Sequence, residues 1–180
     1  MPVYLVGPRA CGKTTVGRLL ARRLNVAFED TDALVRERSG RTVAEIVADE
    51  GWEGFRERES AALREGRAGV IATGGGMVLR RENREFMRET GTVCFLSVPL
   101  DVLCARLTAD TACAAAGQRP LLTGSGGDAA GEMARVLAER GPLYARSAHC
   151  TVDASRPPEE VCAEILRKVR GNFTQRQGRK

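Results

Sequence analysis

A glycine-bounded loop near the start of the chain carries the residues with the clearest chemistry. The loop runs from Gly7 to Thr15, with Lys13 and Thr14 at its end, between the apolar run 3–6 and leucines at helical spacing. Glycines let backbone N–H groups turn inward toward phosphate oxygens, and the helix that follows adds its own unpaired N–H groups and dipole. The lysine suits the outer phosphates of a nucleotide, and the threonine hydroxyl suits Mg²⁺. The sequence therefore predicts a phosphate-binding loop. The alternative is a glycine-rich turn that matches the pattern by chance.

Two aspartates follow the next apolar run. Val26 to Asp30 is predicted as a second strand, and Asp32 comes two residues after its end. Because the carboxyl ends of parallel strands share one sheet edge, both carboxylates are expected beside the phosphate loop. One could hold Mg²⁺ through water while the other orients or deprotonates a hydroxyl. The alternative, that Thr31 or Asp32 only caps a helix, fits these residues equally well.

Two further motifs have a chemical and a structural interpretation. Arg56 and Glu59 lie one helical turn apart, and by themselves they indicate an ordinary surface ion pair. Gly74 to Gly76 follow the apolar strand predicted at 70–73, where bare backbone suits the close approach of a ligand or simply a flexible turn. Neither motif by itself distinguishes the chemical interpretation from the structural one.

The apolar periodicity disappears between about 108 and 128. This stretch contains Arg119 followed by Pro120, and it is long for a connection in a compact domain. It is either disordered or a lid that closes over substrate. The arginine before a proline favours the lid.

The elements that must position these residues alternate along the chain, which predicts an α/β domain with a parallel sheet. Strands are predicted at 3–6, 26–30, 70–73, 92–98 and 150–153. Helices are predicted after Thr14, from the capping box that begins at Thr42, after a break at Gly51, and at 80–89, 99–107, 130–148 and 159–169. The Gly141-Pro142 pair should bend or interrupt the helix at 130–148.

Length and composition fit one domain over residues 1–170. The chain has 180 residues and 43% apolar residues, with no apolar run of bilayer length and no leader-like segment, so we expect a cytoplasmic protein without a membrane partner. The six cysteines lack metal-ligand spacing, and there is one histidine, so we expect no zinc. The net charge is +5, but six positively charged residues and no acidic ones lie from Arg167 onward, so residues 1–166 are close to neutral. Residues 171–180 are predicted to form a basic, disordered tail.

Six motifs in order resemble one known family, the shikimate kinases. They are the phosphate loop, Asp30-x-Asp32, Gly54-Phe55-Arg56-x-x-Glu59, Gly74-Gly75-Gly76, Arg119-Pro120-x-Leu122 and Arg140-x-x-Leu143-Tyr144. The resemblance runs from about Val3 to Val169, and 42–47 with 51–52 look most like the second isoform of enteric bacteria. It implies a three-layer phosphate-loop fold with a five-stranded parallel sheet, order 2-3-1-4-5, a mobile lid at about 108–128 and an acceptor-binding helical region at about 31–62.

The resemblance also implies a reaction and a role for each residue. The reaction is the ATP-dependent phosphorylation of the 3-hydroxyl of shikimate, with Mg²⁺ as cofactor and ATP and shikimate as partners of a monomer. Implied catalytic residues are Lys13, Asp32 and Arg119. Implied shikimate-binding residues are Asp32, Arg56, Glu59, Gly74, Gly75, Gly76 and Arg140. Implied ATP-binding residues are Arg9, Ala10, Cys11, Gly12, Lys13, Thr14, Thr15, Arg106, Arg119, Ser155 and Pro157. Implied metal ligands are Thr14 and Asp30.

Rival hypotheses remain at this point. A related kinase of the same fold, such as gluconate kinase, is the nearest rival, and the discriminator is the convergence of Arg56 and Arg140 on one carboxylate together with Gly74 to Gly76. A non-catalytic ATP-binding module is a rival from another class of protein. A nucleic-acid protein would depend on the basic tail, which we expect instead to be solvated and without a nucleic-acid partner.

Overall fold

The computed structural model describes residues 1–113 and 129–177 of the chain. Within them, parallel strands form one sheet in the order β2-β3-β1-β4-β5. The strands are β1 (Val3–Val6), β2 (Phe28–Asp30), β3 (Val70–Ala72), β4 (Thr92–Ser97) and β5 (Cys150–Asp153). The helices are α1 (Lys13–Leu24), α2 (Thr31–Ser39), α3 (Val43–Glu65), α4 (Arg81–Thr90), α5 (Leu100–Cys113), α6 (Ala129–Ser147) and α7 (Pro158–Gln177), with a 3₁₀ turn at Met77–Leu79. The five-stranded order implied by the resemblance is confirmed.

β1 lies at the centre of the sheet because it is apolar on both faces. All four of its residues are buried, and Val3 pairs with Val70 on one side and Thr92 on the other. Leu5 packs into a core with residues of α1 and α7, whereas Tyr4 packs into a second core with residues of α4. Continuous apolar strands are typical of parallel sheets covered on both faces. This three-layer arrangement brings the carboxyl ends of all strands to one edge.

Two helices differ from the sequence prediction. α6 continues through Gly141 and Pro142 without interruption. Proline removes one helical hydrogen bond, but buried residues on both sides of it, Val136 and Tyr144, hold both halves of the helix in the core. α7 extends to Gln177, so the expected disordered tail is helical over 171–177, because adding residues to an existing helix costs little.

The predicted lid is only partly within the described residues. Its first six residues, 108–113, belong to the end of α5. Arg119 and the rest of 114–128 lie outside the described residues, as do 178–180.

The cysteines occupy mixed environments. Cys11, Cys94 and Cys162 are buried, as expected for small apolar side chains, whereas Cys104 and Cys150 are half-buried. Cys94 and Cys150 face each other on neighbouring strands with their Sγ atoms 3.2 Å apart. Over the described ranges no three histidine, cysteine or acidic side chains cluster as a metal site would require, and no helix is long and apolar enough to cross a membrane.

Candidate active site

The phosphate loop joins β1 to α1 through residues in unusual backbone conformations. Gly7 and Gly12 have φ values of 150° and 92°, and Ala10 between them has φ 62°. Gly12 is the N-cap of α1, and no side chain bonds the first N–H groups of the helix there. Unpaired N–H groups at a helix start bind anions, and alternating left-handed residues turn further N–H groups into a concave nest. The loop therefore has the geometry of a phosphate cradle.

Lys13 lies folded within this loop. Its ammonium donates hydrogen bonds to the carbonyl oxygens of Gly7 at 2.9 Å and Pro8 at 2.6 Å. A Cβ on Gly7 would come within 2.9 Å of the carbonyl oxygen of Leu96, so the loop rests directly on β4. The only lysine of the loop is thus held beside the nest by the loop's own backbone.

Asp30 connects the loop to the acceptor side of the site. One carboxylate oxygen accepts a hydrogen bond from the Thr14 hydroxyl at 2.8 Å, and the other accepts from the N–H groups of Asp32 and Ala33. Asp30 is therefore the N-cap of α2, so the alternative interpretation, with Thr31 or Asp32 as the cap, was wrong. The cap falls on Asp30 because the strand ends there and its side chain can reach two N–H groups of the first turn.

Oxygen donors at Thr14 and Asp30 fit a magnesium ion. Mg²⁺ is usually held by one or two side-chain oxygens together with waters and substrate phosphates, rather than by a complete protein cage. A hydroxyl and a carboxylate 2.8 Å apart beside the phosphate loop match that donor set.

A cleft opens next to the loop, and its empty space is about 600 Å³ when the open solvent at its mouth is included. Its walls come from the phosphate loop, α2, both halves of α3, the glycine turn 74–76 and α6. The lining residues are Arg9, Asp32, Val43, Trp52, Phe55, Arg56, Glu59, Gly75, Gly76, Met133, Val136, Arg140 and Tyr144. The lining residues include three guanidinium groups and two carboxylates, which give a net charge of +1 when every group is ionised. The cleft therefore favours a ligand with one negative charge.

Gly74 and Gly76 are needed because side chains occupy the space of a Cβ. A Cβ on Gly74 would lie 2.0 Å from Glu59 Oε1 and 2.6 Å from Asp32 Oδ1. A Cβ on Gly76 would lie 1.9 Å from Arg56 Nη1. The glycine turn is thus a surface of bare backbone that contacts the charged side chains of the cleft.

Arg56 and Glu59 form a buried ion pair, not the surface pair that their spacing alone indicated. Arg56 Nη1 donates to Glu59 Oε2, and the two side chains are only 11% and 1% exposed. The guanidinium also lies over the rings of Trp52 and Phe55, with its carbon 5.5 and 5.7 Å from their centroids. Burial raises the pKa of Glu59 to about 7, against the opposing effect of Arg56.

Arg140 enters the cleft from α6. Arg140 is 8% exposed, and its Nε atom is buried without a hydrogen-bond partner among the described residues. The carboxylate oxygen paired with it, Glu139 Oε2, is 4.0 Å from Nε. A buried guanidinium N–H without a partner is costly, so it indicates a ligand that would accept that bond. Arg56 and Arg140 can therefore contact one anion from two walls.

The predicted adenine side lies at the ends of β4 and β5. Arg106 donates to the carbonyl oxygens of Ala154 and Ser155 at 2.9 and 3.3 Å, and the Ala154 N–H bonds Ser97 O at 2.8 Å. Pro157 immediately precedes α7. Arg106, Ser155 and Pro157 thus share one corner of the sheet edge, and their contact with adenine stays a prediction.

Sequence reasoning missed part of the cleft. Arg9, assigned to ATP, lines the acceptor cleft, and Tyr144 was recognised in a motif without a role. Met133, Val136, Arg140 and Tyr144 recur at three- and four-residue spacing on α6, which could have identified one face of the helix. That this face lines a cleft depends on the tertiary packing, which spacing does not reveal.

Comparisons with known proteins agree with this geometry. A family model described as "Shikimate kinase" matches residues 9–170. The chain is 50% identical over 171 residues to shikimate kinase 2 of Dickeya chrysanthemi, covering 94% of this chain and 96% of that protein. It is 52% identical over 166 residues to shikimate kinase 2 of Syntrophotalea carbinolica, covering 91% and 94%. The structure of shikimate kinase from Acinetobacter baumannii in complex with shikimate has a TM-score of 0.85 at 35% identity, covering 95% of this chain and 93% of that one.

Proposed function

The chain belongs to the shikimate kinase family, and on that premise we propose that it transfers the terminal phosphoryl group of ATP to the 3-hydroxyl of shikimate. The products are ADP and shikimate 3-phosphate. The observation that carries this proposal is the convergence of Arg56 and Arg140 on one cleft that also contains Asp32 and adjoins the phosphate loop. The comparisons identify the shikimate kinase family and not that of gluconate kinase, the nearest rival.

Arg56 and Arg140 hold the carboxylate of shikimate. A guanidinium presents parallel N–H donors that match the two oxygens of a carboxylate, and such bonds strengthen where water is excluded. Glu59 keeps Arg56 in place by the buried ion pair, and Gly74 to Gly76 supply backbone for contact with the ring hydroxyls. The unpartnered Nε of Arg140 supports this assignment.

Asp32 orients the 3-hydroxyl and accepts its proton as the phosphoryl group is transferred. Asp32 is buried, and its carboxylate lies close to that of Glu59 beside Gly74. Arg56 and Arg140 also act on Glu59 electrostatically, so the carboxylates and guanidinium groups of the cleft form one charged cluster. A carboxylate fixed in this way can align a hydroxyl oxygen with the terminal phosphorus, which is the main requirement of phosphoryl transfer.

The phosphate loop binds ATP through residues 9–15. The backbone N–H groups and the ammonium of Lys13 offset the charge that spreads over the phosphate oxygens in the loose transition state. Thr14 and Asp30 would hold Mg²⁺, which neutralises phosphate charge when bound. Arg106, Ser155 and Pro157 flank the adenine. Arg119 would cover the transferring group from the lid, in the part of the chain outside the described residues.

A coupled assay of ADP release tests the function directly. With ATP and Mg²⁺ present, shikimate should support turnover at a kcat/KM at least about 100-fold above that with gluconate, because only shikimate has a ring that fixes the carboxylate and the acceptor hydroxyl relative to each other. Comparable rates with both acceptors, or ADP release without any acceptor, would overturn the assignment.

We infer that the protein acts as a cytoplasmic monomer without nucleic-acid or membrane partners. Deleting residues 171–180 separates the kinase from a nucleic-acid protein that depends on the basic tail. The deletion variant should retain its kcat and both KM values within about twofold, because no proposed site residue follows Pro157. Salt-sensitive polynucleotide binding that disappears with the deletion would contradict this inference.

A further inference from the structure

We propose that Tyr144 is a positioning residue for the acceptor: its hydroxyl ties α6 to the carbonyl of Gly75 and so fixes the two arginines of the cleft relative to each other. This inference rests on the proposed function, because the acceptor held by the two arginines is taken to be shikimate.

The position of Tyr144 is determined on three sides. Its residue is 1% exposed, its ring stacks on Phe95 of β4 with centroids 5.3 Å apart and planes 24° apart, and its hydroxyl donates to Gly75 O. Burial raises the pKa of Tyr144 above its usual value, although the positive charge of Arg140 opposes this. The hydroxyl therefore stays protonated and remains a donor over the whole neutral range.

Tyr144 connects two parts of the site that carry different arginines. Arg140 lies four residues earlier on α6, so the two side chains share one face of the helix. On the other side of the hydrogen bond, Gly75 is followed by Gly76, whose backbone lies directly against the guanidinium of Arg56. One hydroxyl thus links the helix that carries Arg140 to the turn that supports Arg56.

The link matters because Gly75 lies where the elements of the site meet. A Cβ on Gly75 would lie 3.6 Å from Gly7 O and 3.7 Å from both Arg9 N and the Tyr144 hydroxyl. The glycine turn therefore lies between the phosphate loop and α6. Without the hydroxyl, the Gly75 carbonyl loses its donor and the turn can shift relative to the helix. Two arginines that must contact one small carboxylate tolerate little such movement.

The chain provides a matched control. Its other tyrosine, Tyr4, is also buried, and its hydroxyl bonds Thr90 Oγ1 at 2.9 Å, at the opposite end of β1 from the phosphate loop. Tyr4→Phe and Tyr144→Phe each delete one buried hydroxyl oxygen. The Tyr4 hydroxyl bonds Thr90, whereas the Tyr144 hydroxyl bonds Gly75 O and the side chain of Arg140. Both should lower the melting temperature by about 2–4 °C.

Only Tyr144→Phe should change acceptor binding. We expect its KM for shikimate to rise about 3- to 10-fold, the effect of one hydrogen bond, with the KM for ATP within about twofold of wild type. Trp52, the only tryptophan, lines the cleft, so its fluorescence can measure shikimate dissociation constants directly. The dissociation constant should rise by the same factor. Tyr4→Phe should leave both shikimate values unchanged.

Two results would overturn the inference: equal shikimate constants in the two variants, or a rise in the KM for ATP as large as that for shikimate. A wild-type protein without shikimate kinase activity would instead refute the proposed function. If Tyr144→Phe fails to fold, Phe95→Leu removes the stacked ring that fixes the tyrosine. That variant should raise the shikimate dissociation constant without changing ATP binding, and an unchanged constant would contradict the proposal.

Discussion

Asp32 is the single residue on which the proposed chemistry depends most. It is buried in the cleft, next to the Glu59 carboxylate and two residues after the one that caps α2. We expect Asp32→Asn to lower kcat by about 100-fold or more, because an amide cannot accept the proton of the hydroxyl. Binding of ATP, measured by isothermal titration, should remain within about twofold. A variant with near-normal turnover would contradict the assigned role.

Gly74 shows how a single missing side chain shapes the cleft. Gly74→Ala would place a Cβ within 2.0 Å of Glu59 Oε1, so the buried carboxylate must move and the ion pair with Arg56 must shift. We expect a loss of about 2 kcal/mol or more in the free energy of unfolding, measured by urea denaturation. Gly75→Ala is the control, because its Cβ would make only ordinary contacts of 3.6 Å or more. Equal losses in both variants would show that Gly74 is not required for packing.

Glu59 should make stability depend on pH. The folded protein raises the pKa of Glu59 from 4.5 to about 7, so it holds that proton more tightly than the unfolded chain does. The stabilisation that this gives is fully present below about pH 4.5 and is lost as pH rises through about 7. Relative to Glu59→Gln, the wild type should therefore lose free energy of unfolding between about pH 5 and 8.

Glu45 provides the control for this titration. It is exposed in the capping box of α3, and its hydrogen bonds with Thr42 lower its pKa below 4.5. The difference between wild type and Glu45→Gln should accordingly stay constant between about pH 5 and 8. A Glu59→Gln difference that also stays constant would contradict the raised pKa.

At the scale of elements, α3 is bent so that both of its halves reach the cleft. Gly51 has φ 70° and ψ 176°, a conformation that glycine alone adopts readily, and it separates the half that begins with Val43 from the half with Arg56 and Glu59. The capping box and the break at Gly51 were predictable because both depend on local chemistry. The uninterrupted course of α6 through Pro142 was not predictable, since buried contacts on both sides of the proline maintain it.

Two glycine substitutions should have opposite effects on stability. A Cβ meets nothing within 4 Å at Gly51 or at Gly141, so only backbone conformation distinguishes them. Gly51→Ala should lower the free energy of unfolding by about 1–3 kcal/mol, because alanine is strained there. Gly141→Ala, within α6, should raise it by about 0.5–1 kcal/mol. Thermal or urea unfolding measures both, and a stabilising Gly51→Ala would contradict the described bend.

For the whole molecule, the sheet order explains why residues far apart in sequence meet. β3 lies between β2 and β1, so Asp32, the glycine turn and the phosphate loop emerge side by side at one edge of the sheet. Alternating elements in the sequence predicted a parallel α/β sheet, but its order and the list of site residues came from resemblance. Spacing alone left Arg56 and Glu59 as a surface pair, because their burial depends on α2 and on the glycine turn 74–76, which come from elsewhere in the chain.

The pairing of the shikimate carboxylate with Arg140 is the central claim for the molecule as a whole. It can be measured by comparing kcat/KM for shikimate and for its methyl ester in wild type and in Arg140→Ala, each with ATP saturating. The ester removes the negative charge, so wild type should prefer shikimate by about 100-fold or more.

In Arg140→Ala that preference should fall by at least about tenfold, because one of the two guanidinium partners of the charge is gone. The account predicts this loss of preference together with an unchanged KM for ATP. A preference that stays the same while both acceptors weaken in parallel would contradict it.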